Sequence, residues 1–302
     1  MPGVVVLGVF VADAAFRADR MPRMGETTLG RSFQLGPGGK GSNQAVAAAK
    51  LGVETHMMAH LGADDFAQLA QNTWDEAGVI AHVTTKADSY TGAAFIYVDA
   101  KSGDNAIIIA PGAAALISPA DIETHSDLIA SADVFVTQLE QPIDAAQRAL
   151  EIARASGVTT LLNPAPAAEL PEEMLALCDY ITPNETECEA LTGLEVKTEA
   201  QAALAAERLK SMGVGRPIIT MGEQGAFLDG HGLVPAVSAG PVVETTGAGD
   251  AFNGAFAAAL VEGKSPEDSV AFGCACAGLS VTKPGAAASM PSRADVDAVL
   301  RR

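Results

Sequence analysis

The sequence is short of positive charge. Its 302 residues carry 19 Lys plus Arg against 37 Asp plus Glu, a formal net charge of -18. Proteins that grip duplex DNA or RNA present a basic face to the phosphates, so no nucleic-acid partner is expected. A small anionic ligand needs only a local positive site and stays open. Cysteine is also scarce: Cys178, Cys188, Cys274 and Cys276 form no CxxC pair. They read as reduced structural thiols, which suits a cytoplasmic protein. No uncharged run approaches the ~18 residues of a membrane span, so no membrane partner is expected either. The apolar start MPGVVVLGVFVADAAF lacks a basic n-region and is broken by Asp13; it reads as a first strand and not as a signal peptide. There is no internal repeat and no low-complexity linker.

What is present is apolar. Hydrophobic residues make up 48% and charged residues 19%, enough for a sizeable core and against disorder. VVVLG (4–8) is a β-branched run ending in Gly, the pattern of a buried parallel strand. SNQAVAAAKLG predicts a helix stopped by Gly52, THMMAHLG a strand, and 65–77 a helix. From residue 121 the order is regular. DVFVTQLE, VTTLLNPAP, DYITPN and RPIITMG read as strands; DAAQRALEIARASG, capped by Asp144 and Gly157, ETECEALTG and EAQAALAAERLKSMG read as helices. Two further helices follow at 250–263 and 266–280. Such alternation predicts an α/β fold with a mostly parallel sheet and helices on both faces. Residues 14–36 and 92–108 break the alternation, the latter reading as two strands about a polar turn, and are expected to form a small β lid. A single domain over 1–302 with that insertion is the economical organisation.

Two glycine motifs carry the chemistry. GPGGKG (36–41) formally matches GxGxxG, with Glu54 available as the distant acid. It follows an earlier strand, however, and Gly41 stands where a Walker A loop needs Ser or Thr. A dinucleotide-dependent oxidoreductase therefore remains only an alternative. Gly38, Gly39 and Gly41 let backbone approach a ligand, and Lys40 and Asn43 offer donors suited to sugar hydroxyls; the alternative is a plain tight turn. In ETTGAGDAFNG (244–254), Gly247, Ala248 and Gly249 leave the N–H groups of a helix start uncovered. With the helix dipole behind them they suit an anion such as a γ-phosphate gathering charge. Asp250 would stand ready to accept a proton from an attacking hydroxyl, or else merely cap the helix. In TPNETECE, Asn184 and Glu187 share a helix face and can order waters about a magnesium ion. A capping box fits them equally well.

Taken together, GGKGSNQAVAAAKLG, QLEQP, NPAPAAELP, TPNETE, TMGEQGAF and ETTGAGDAFNGAFAAAL, in that order, resemble the PfkB (ribokinase-like) carbohydrate kinases over about residues 4–300. The resemblance implies a three-layer sandwich and an ATP-dependent kinase that phosphorylates a primary hydroxyl of a small sugar, D-ribose first. It implies Asp250 as catalytic base and Gly247, Ala248 and Gly249 as the anion hole. Asp13, Gly39, Lys40, Asn43 and Glu140 match sugar-contacting positions. Asn184 and Glu187 match the motif that places magnesium, through water, and the phosphates. Thr220, Gly222 and Gly225 match the nucleotide loop. Glu244, Thr246, Ser280, Lys283, Gly285 and Ser289 match the positions that hold an activating potassium ion. The lid is implied to join two copies in a homodimer.

Two departures stand out. Val11 replaces an Asn that contacts the sugar in the family, and Glu244 replaces an Asp. A hydroxyl that loses a buried partner forfeits ~1–3 kcal/mol, so Val11 favours a 2-deoxy sugar or one held in another way. Arg17, Arg20 and Arg23 in the lid are solvated surface or recognise an acidic sugar such as 2-keto-3-deoxygluconate. A nucleoside is a further alternative, and a non-catalytic sugar-binding protein is the alternative of a different class.

Overall fold

The first strand is buried on both sides. In the computed structural model, which describes residues 3–301, β1 (Val4–Leu7) sends Val4 and Val6 into one apolar cluster and Val5 and Leu7 into another. A strand can be apolar throughout only when both faces are covered, which is the condition of a sheet between two helical layers.

The remaining strands, in chain order, are β2 (Val11–Ala18), β3 (Ser32–Gly38), β4 (Thr55–Leu61), β5 (Ile80–Thr85), β6 (Thr91–Asp99), β7 (Asn105–Gly112), β8 (Val134–Thr137), β9 (Thr159–Leu162), β10 (Tyr180–Ile181), β11 (Arg216–Thr220), β12 (Gly225–Leu228) and β13 (Gly232–Pro235). Nine form one sheet in the order β13-β12-β11-β10-β9-β8-β1-β4-β5. It is parallel from β11 to β5, and β12 and β13 add an antiparallel hairpin at one edge. The expected α/β architecture is the observed one. Periodicity did not resolve β5 or the edge hairpin, whose short runs carry little signal.

The other four strands make a separate sheet in the order β3-β2-β6-β7. It begins at Val11 and ends at Gly112, wider at both ends than the 14–36 and 92–108 read from the sequence. β2 pairs β3 antiparallel and β6 parallel, so its alternate residues divide between two faces. Val11, Asp13, Ala15 and Arg17 share one face; Ala12, Ala14 and Phe16 share the other.

Helix ends show where local rules fell short. The helix Lys40–Lys50 starts two residues before the expected Ser42 and has Leu51 as its C-cap, with Gly52 beyond it at φ +92°. The helix Ile143–Ala155 is preceded by Pro142, which offers no side-chain cap; Asp144 lies inside the first turn and does not cap it. The helix Ala248–Val261 begins two residues before Asp250, behind Gly247 at φ +80°. In that left-handed conformation a side chain is strained, so Gly is the natural residue there.

Candidate active site

The polar residues gather at the carboxyl ends of β1, β8, β9, β10 and β11, where ligands bind in open α/β sheets. Gly8 follows β1, Gln138 and Glu140 follow β8, Asn163 follows β9, Thr182 and Asn184 follow β10, and Gly222 follows β11. Above them cross the helices Lys40–Lys50 and Ala248–Val261. Gly254 sets their distance: a Cβ there would lie 2.5 Å from Gln44 O and 2.6 Å from Ala47 Cβ. Asp250 sits one turn earlier, and the close crossing brings its carboxylate against the first helix.

Asp250 does not cap its own helix. Its Oδ2 accepts from Asn43 Nδ2 at 2.9 Å and its Oδ1 from Gln44 Nε2 at 3.1 Å. Burial pushes its pKa up, opposed by the Lys40 ammonium and by the two amide donors. Of the three residues before it, Ala248 already donates its N–H to Thr245 O at 3.2 Å. The Gly247 and Gly249 amides are therefore the ones free to meet an anion.

Asp13 and Glu140 complete an acidic rim. Burial, and then the negative charge of Glu244, lift Asp13 to about 6. Burial lifts Glu140 to about 7 although it accepts the Lys40 backbone N–H at 2.7 Å. The Asp13 carboxylate lies on the Cα of Gly38, where any side chain would collide with it; Gly39, at φ +90°, rests on the Val9 carbonyl. Gly41 is required as well, since a Cβ there would lie 2.7 Å from Gly8 Cα. Lys40 is the cation common to Asp250, Glu140 and Glu187, opposing in each the rise that burial causes.

Asn184 and Glu187 form the capping box: Glu187 N donates to Asn184 Oδ1 at 2.8 Å and Asn184 N to Glu187 Oε2 at 2.9 Å. Capping does not exhaust Glu187, since its Oε1 has no protein partner among the described residues and burial raises its pKa. One free carboxylate oxygen facing Lys40 and Asp250 fits a hydrated divalent ion. Thr220 stands beside this turn, bridged to Asn184 and donating its N–H to Pro183 O at 2.9 Å. Gly222 and Gly225 follow at φ +52° and +118°.

Among the described residues, no three His, Cys, Asp or Glu side chains converge on a metal-sized point. The resemblance to the family implies a potassium ion at six positions. The six expected positions fall on two joined segments. Val243 and Glu244 donate their N–H groups to Val281 O at 2.8 and 3.2 Å, and Glu244 Oε2 accepts from Gly285 N at 2.9 Å. Two positions are partly spent: the Ser280 carbonyl accepts from Lys283 N at 3.2 Å, and Ser289 Oγ donates to Ala286 O at 2.8 Å.

The lid residues divide. Val11 packs with Val9, Ala94, Ala114 and Ile96 in a small apolar cluster on the Asp13 side. Arg20 is taken by Glu26, whereas Arg17 shares the face of Asp13 two register positions farther out. Arg23 lies in the exposed loop beyond.

Sequence reasoning missed Gln44, Gln138, Asn163, Thr182 and Asn253, all buried here. A signal existed: Gln138, Asn163 and Thr182 each follow an apolar strand immediately, where the chain leaves the sheet at its ligand-binding end.

Comparison with known proteins agrees with this geometry. The family described as pfkB family carbohydrate kinase matches residues 1–293. A ribokinase of Haemophilus influenzae is 41% identical over 293 residues, covering 96% of this chain and 95% of its own. A deoxyribokinase of Salmonella typhi is 37% identical over 294 residues, with 96% and 95% covered. The structure of Arabidopsis thaliana ribokinase complexed with ribose and ATP superposes with a TM-score of 0.93 at 33% identity, covering 100% of this chain and 99% of that one.

Proposed function

The chain belongs to the pfkB family of carbohydrate kinases, and from that premise we propose that it transfers the γ-phosphate of ATP to a primary hydroxyl of D-ribose, giving D-ribose 5-phosphate. The observation that carries the reading is Asp250, buried at the helix start between Lys40 and two amide donors. Asp13, Asn43 and Glu140 hold the sugar hydroxyls, and Gly39 lets it approach the backbone. Asp250 takes the proton of the attacking hydroxyl as the bond to phosphorus forms and the bond to the ADP oxygen breaks. The amides of Gly247 and Gly249, with Ala248 between them, meet the charge gathering on the phosphoryl oxygens. Asn184, Thr220, Gly222 and Gly225 seat the nucleotide. Magnesium, when bound through water at Glu187, would screen the phosphate charges. Potassium would be held by Glu244, Thr246, Ser280, Lys283, Gly285 and Ser289, and Glu244's bond to Gly285 supports the joining of those segments.

A second substrate, 2-deoxyribose, is favoured by one observation. Val11 presents methyl groups to Ala94 and Ile96 where the family has an amide. That wall offers a hydroxyl nothing, and a deoxyribokinase stands among the relatives. An acidic sugar is supported less, because Glu26 occupies Arg20. Four free, buried cysteines support a reducing cytoplasmic setting. The outer face of the lid, with Phe16, Phe33, Leu35 and Phe95 exposed, supports a homodimer.

ADP release measured across D-ribose, 2-deoxy-D-ribose, ketohexoses, acidic sugars and nucleosides, with and without potassium, tests the reading. D-ribose is expected to turn over best, and Asp250→Asn to lose ~100- to 10,000-fold in turnover. Failure of both pentoses beside turnover of another class would reject the substrate, and an active Asp250→Asn would reject the base.

A further inference from the structure

We propose that Gln44 is a positioning residue: it fixes the direction in which the Asp250 carboxylate faces the sugar. The inference rests on reading Asp250 as the base. Gln44 Nε2 donates to Asp250 Oδ1 and to Asn163 Oδ1, both at 3.1 Å, and its Oε1 accepts from Gln138 Nε2 at 2.7 Å. A flipped amide would set an oxygen against two acceptors, so the network admits one orientation.

The bonds run on beyond Gln44. Asn163 Nδ2 donates to Thr182 O at 3.2 Å, Thr182 Oγ1 to Asn253 Oδ1 at 2.6 Å, and Asn253 Nδ2 to Gly249 O at 2.8 Å. Gly249 precedes Asp250, so the chain of bonds closes a ring about the base. It ties the carboxylate and the anion-hole backbone to the ends of β9 and β10. Gln44, Thr182 and Asn253 are each 1% exposed and Asn163 is 6% exposed. Amides are expensive to bury, and a helix packed on a sheet has no need of them. Apart from Gln138 Oε1, which has no partner among the described residues, these groups are paired, and their convergent arrangement has one ionisable group at its centre.

Asn43 and Gln44 divide the work on Asp250. Asn43 reaches Oδ2 and keeps an unpartnered Oδ1, which a sugar hydroxyl can use. Gln44 is sealed from the ligand and acts only through Asp250 and Asn163. Its loss should therefore appear in the chemical step and not in binding.

The test is steady-state kinetics of Gln44→Met, with ribose and ATP varied separately and folding checked by thermal unfolding. We expect kcat to fall about 10- to 100-fold, as for a base displaced by about an ångström, while both KM values stay within about twofold. A folded variant with wild-type kcat, or one whose loss lies wholly in KM, overturns the proposal. Should Gln44→Met fail to fold, Gln138→Met decides. It frees the far end of Gln44 without touching Asp250, and a several-fold fall in kcat at constant KM supports the proposal, whereas wild-type kcat overturns it. Asp250→Asn in the same assay separates the two readings. If it is inactive while Gln44→Met is fully active, only the positioning role fails.

Discussion

Glu140 and Asp13 are carboxyls that the fold holds against their preference. Burial is the main cause for both, and it places Glu140 at about 7 and Asp13 at about 6. A carboxyl whose pKa is raised on folding binds more protons folded than unfolded between the two pKa values. Its contribution to stability therefore falls as pH rises from about 4.5 towards 7, the reverse of a salt-bridged acid. Glu140→Gln removes the charge while keeping an acceptor for Lys40 N. It should stabilise the ligand-free protein at pH 8 by roughly 1–3 kcal/mol and leave stability at pH 4.5 nearly unchanged. It should also weaken sugar binding, since an anionic acceptor grips a hydroxyl better than an amide does. Denaturant midpoints at the two pH values decide the point, and a variant equally or less stable at pH 8 would contradict it. Asp250 was legible in the sequence as an acid at a helix start. That its carboxylate turns to Asn43 and Gln44 instead of capping its own helix was not legible, because those partners lie some two hundred residues away.

At the scale of elements, the site depends on how closely two helices cross. Ala is the better helix former by ~1 kcal/mol, so propensity alone predicts that Gly254→Ala stabilises. The added methyl would sit 2.5 Å from Gln44 O and 2.6 Å from Ala47 Cβ, both on the neighbouring helix. Overpacking of this kind costs about 1–3 kcal/mol, and the contact term wins. We expect a lower urea midpoint together with reduced turnover, because moving one helix from the other also moves Asp250 from Asn43. A more stable variant would show that the crossing has slack. Secondary structure followed the sequence best where period and length were strong, as in the helix Asp65–Ala77. It followed least well at helix starts. The helix at Lys40 is positioned by Gly39 lying on Val9 and by Glu140 holding the Lys40 amide, both contacts from other elements.

For the whole molecule, the small sheet poses the outstanding question. Its inner face carries Asp13 and Val11. Its outer face exposes Phe16 (40%), Phe33 (57%), Phe95 (37%) and Ile108 (67%), with the Phe16 and Phe33 rings 4.8 Å apart. A contiguous apolar patch on a protein of net charge -18 is an interface signature, since its side chains carry no charge to repel a second copy. Sedimentation is expected to show a dimer at micromolar concentration and a monomer for Phe33→Glu with Ile108→Lys. A wild-type monomer under those conditions would remove the lid from the assembly.

The amino-acid sequence by itself determined the α/β class, the strand–helix alternation and the two glycine motifs. Each depends on neighbours within a few residues: apolar period, turn chemistry, and the freedom of Gly39 and Gly247 to take positive φ. The tertiary structure alone decided that Asp250 leaves its own helix uncapped, which amides hold its carboxylate, and that Val11 faces an apolar wall. Those properties arise from contacts between distant segments that share one end of a sheet, and their energies come from burial. Burial belongs to the assembled core, and no short stretch of sequence carries it.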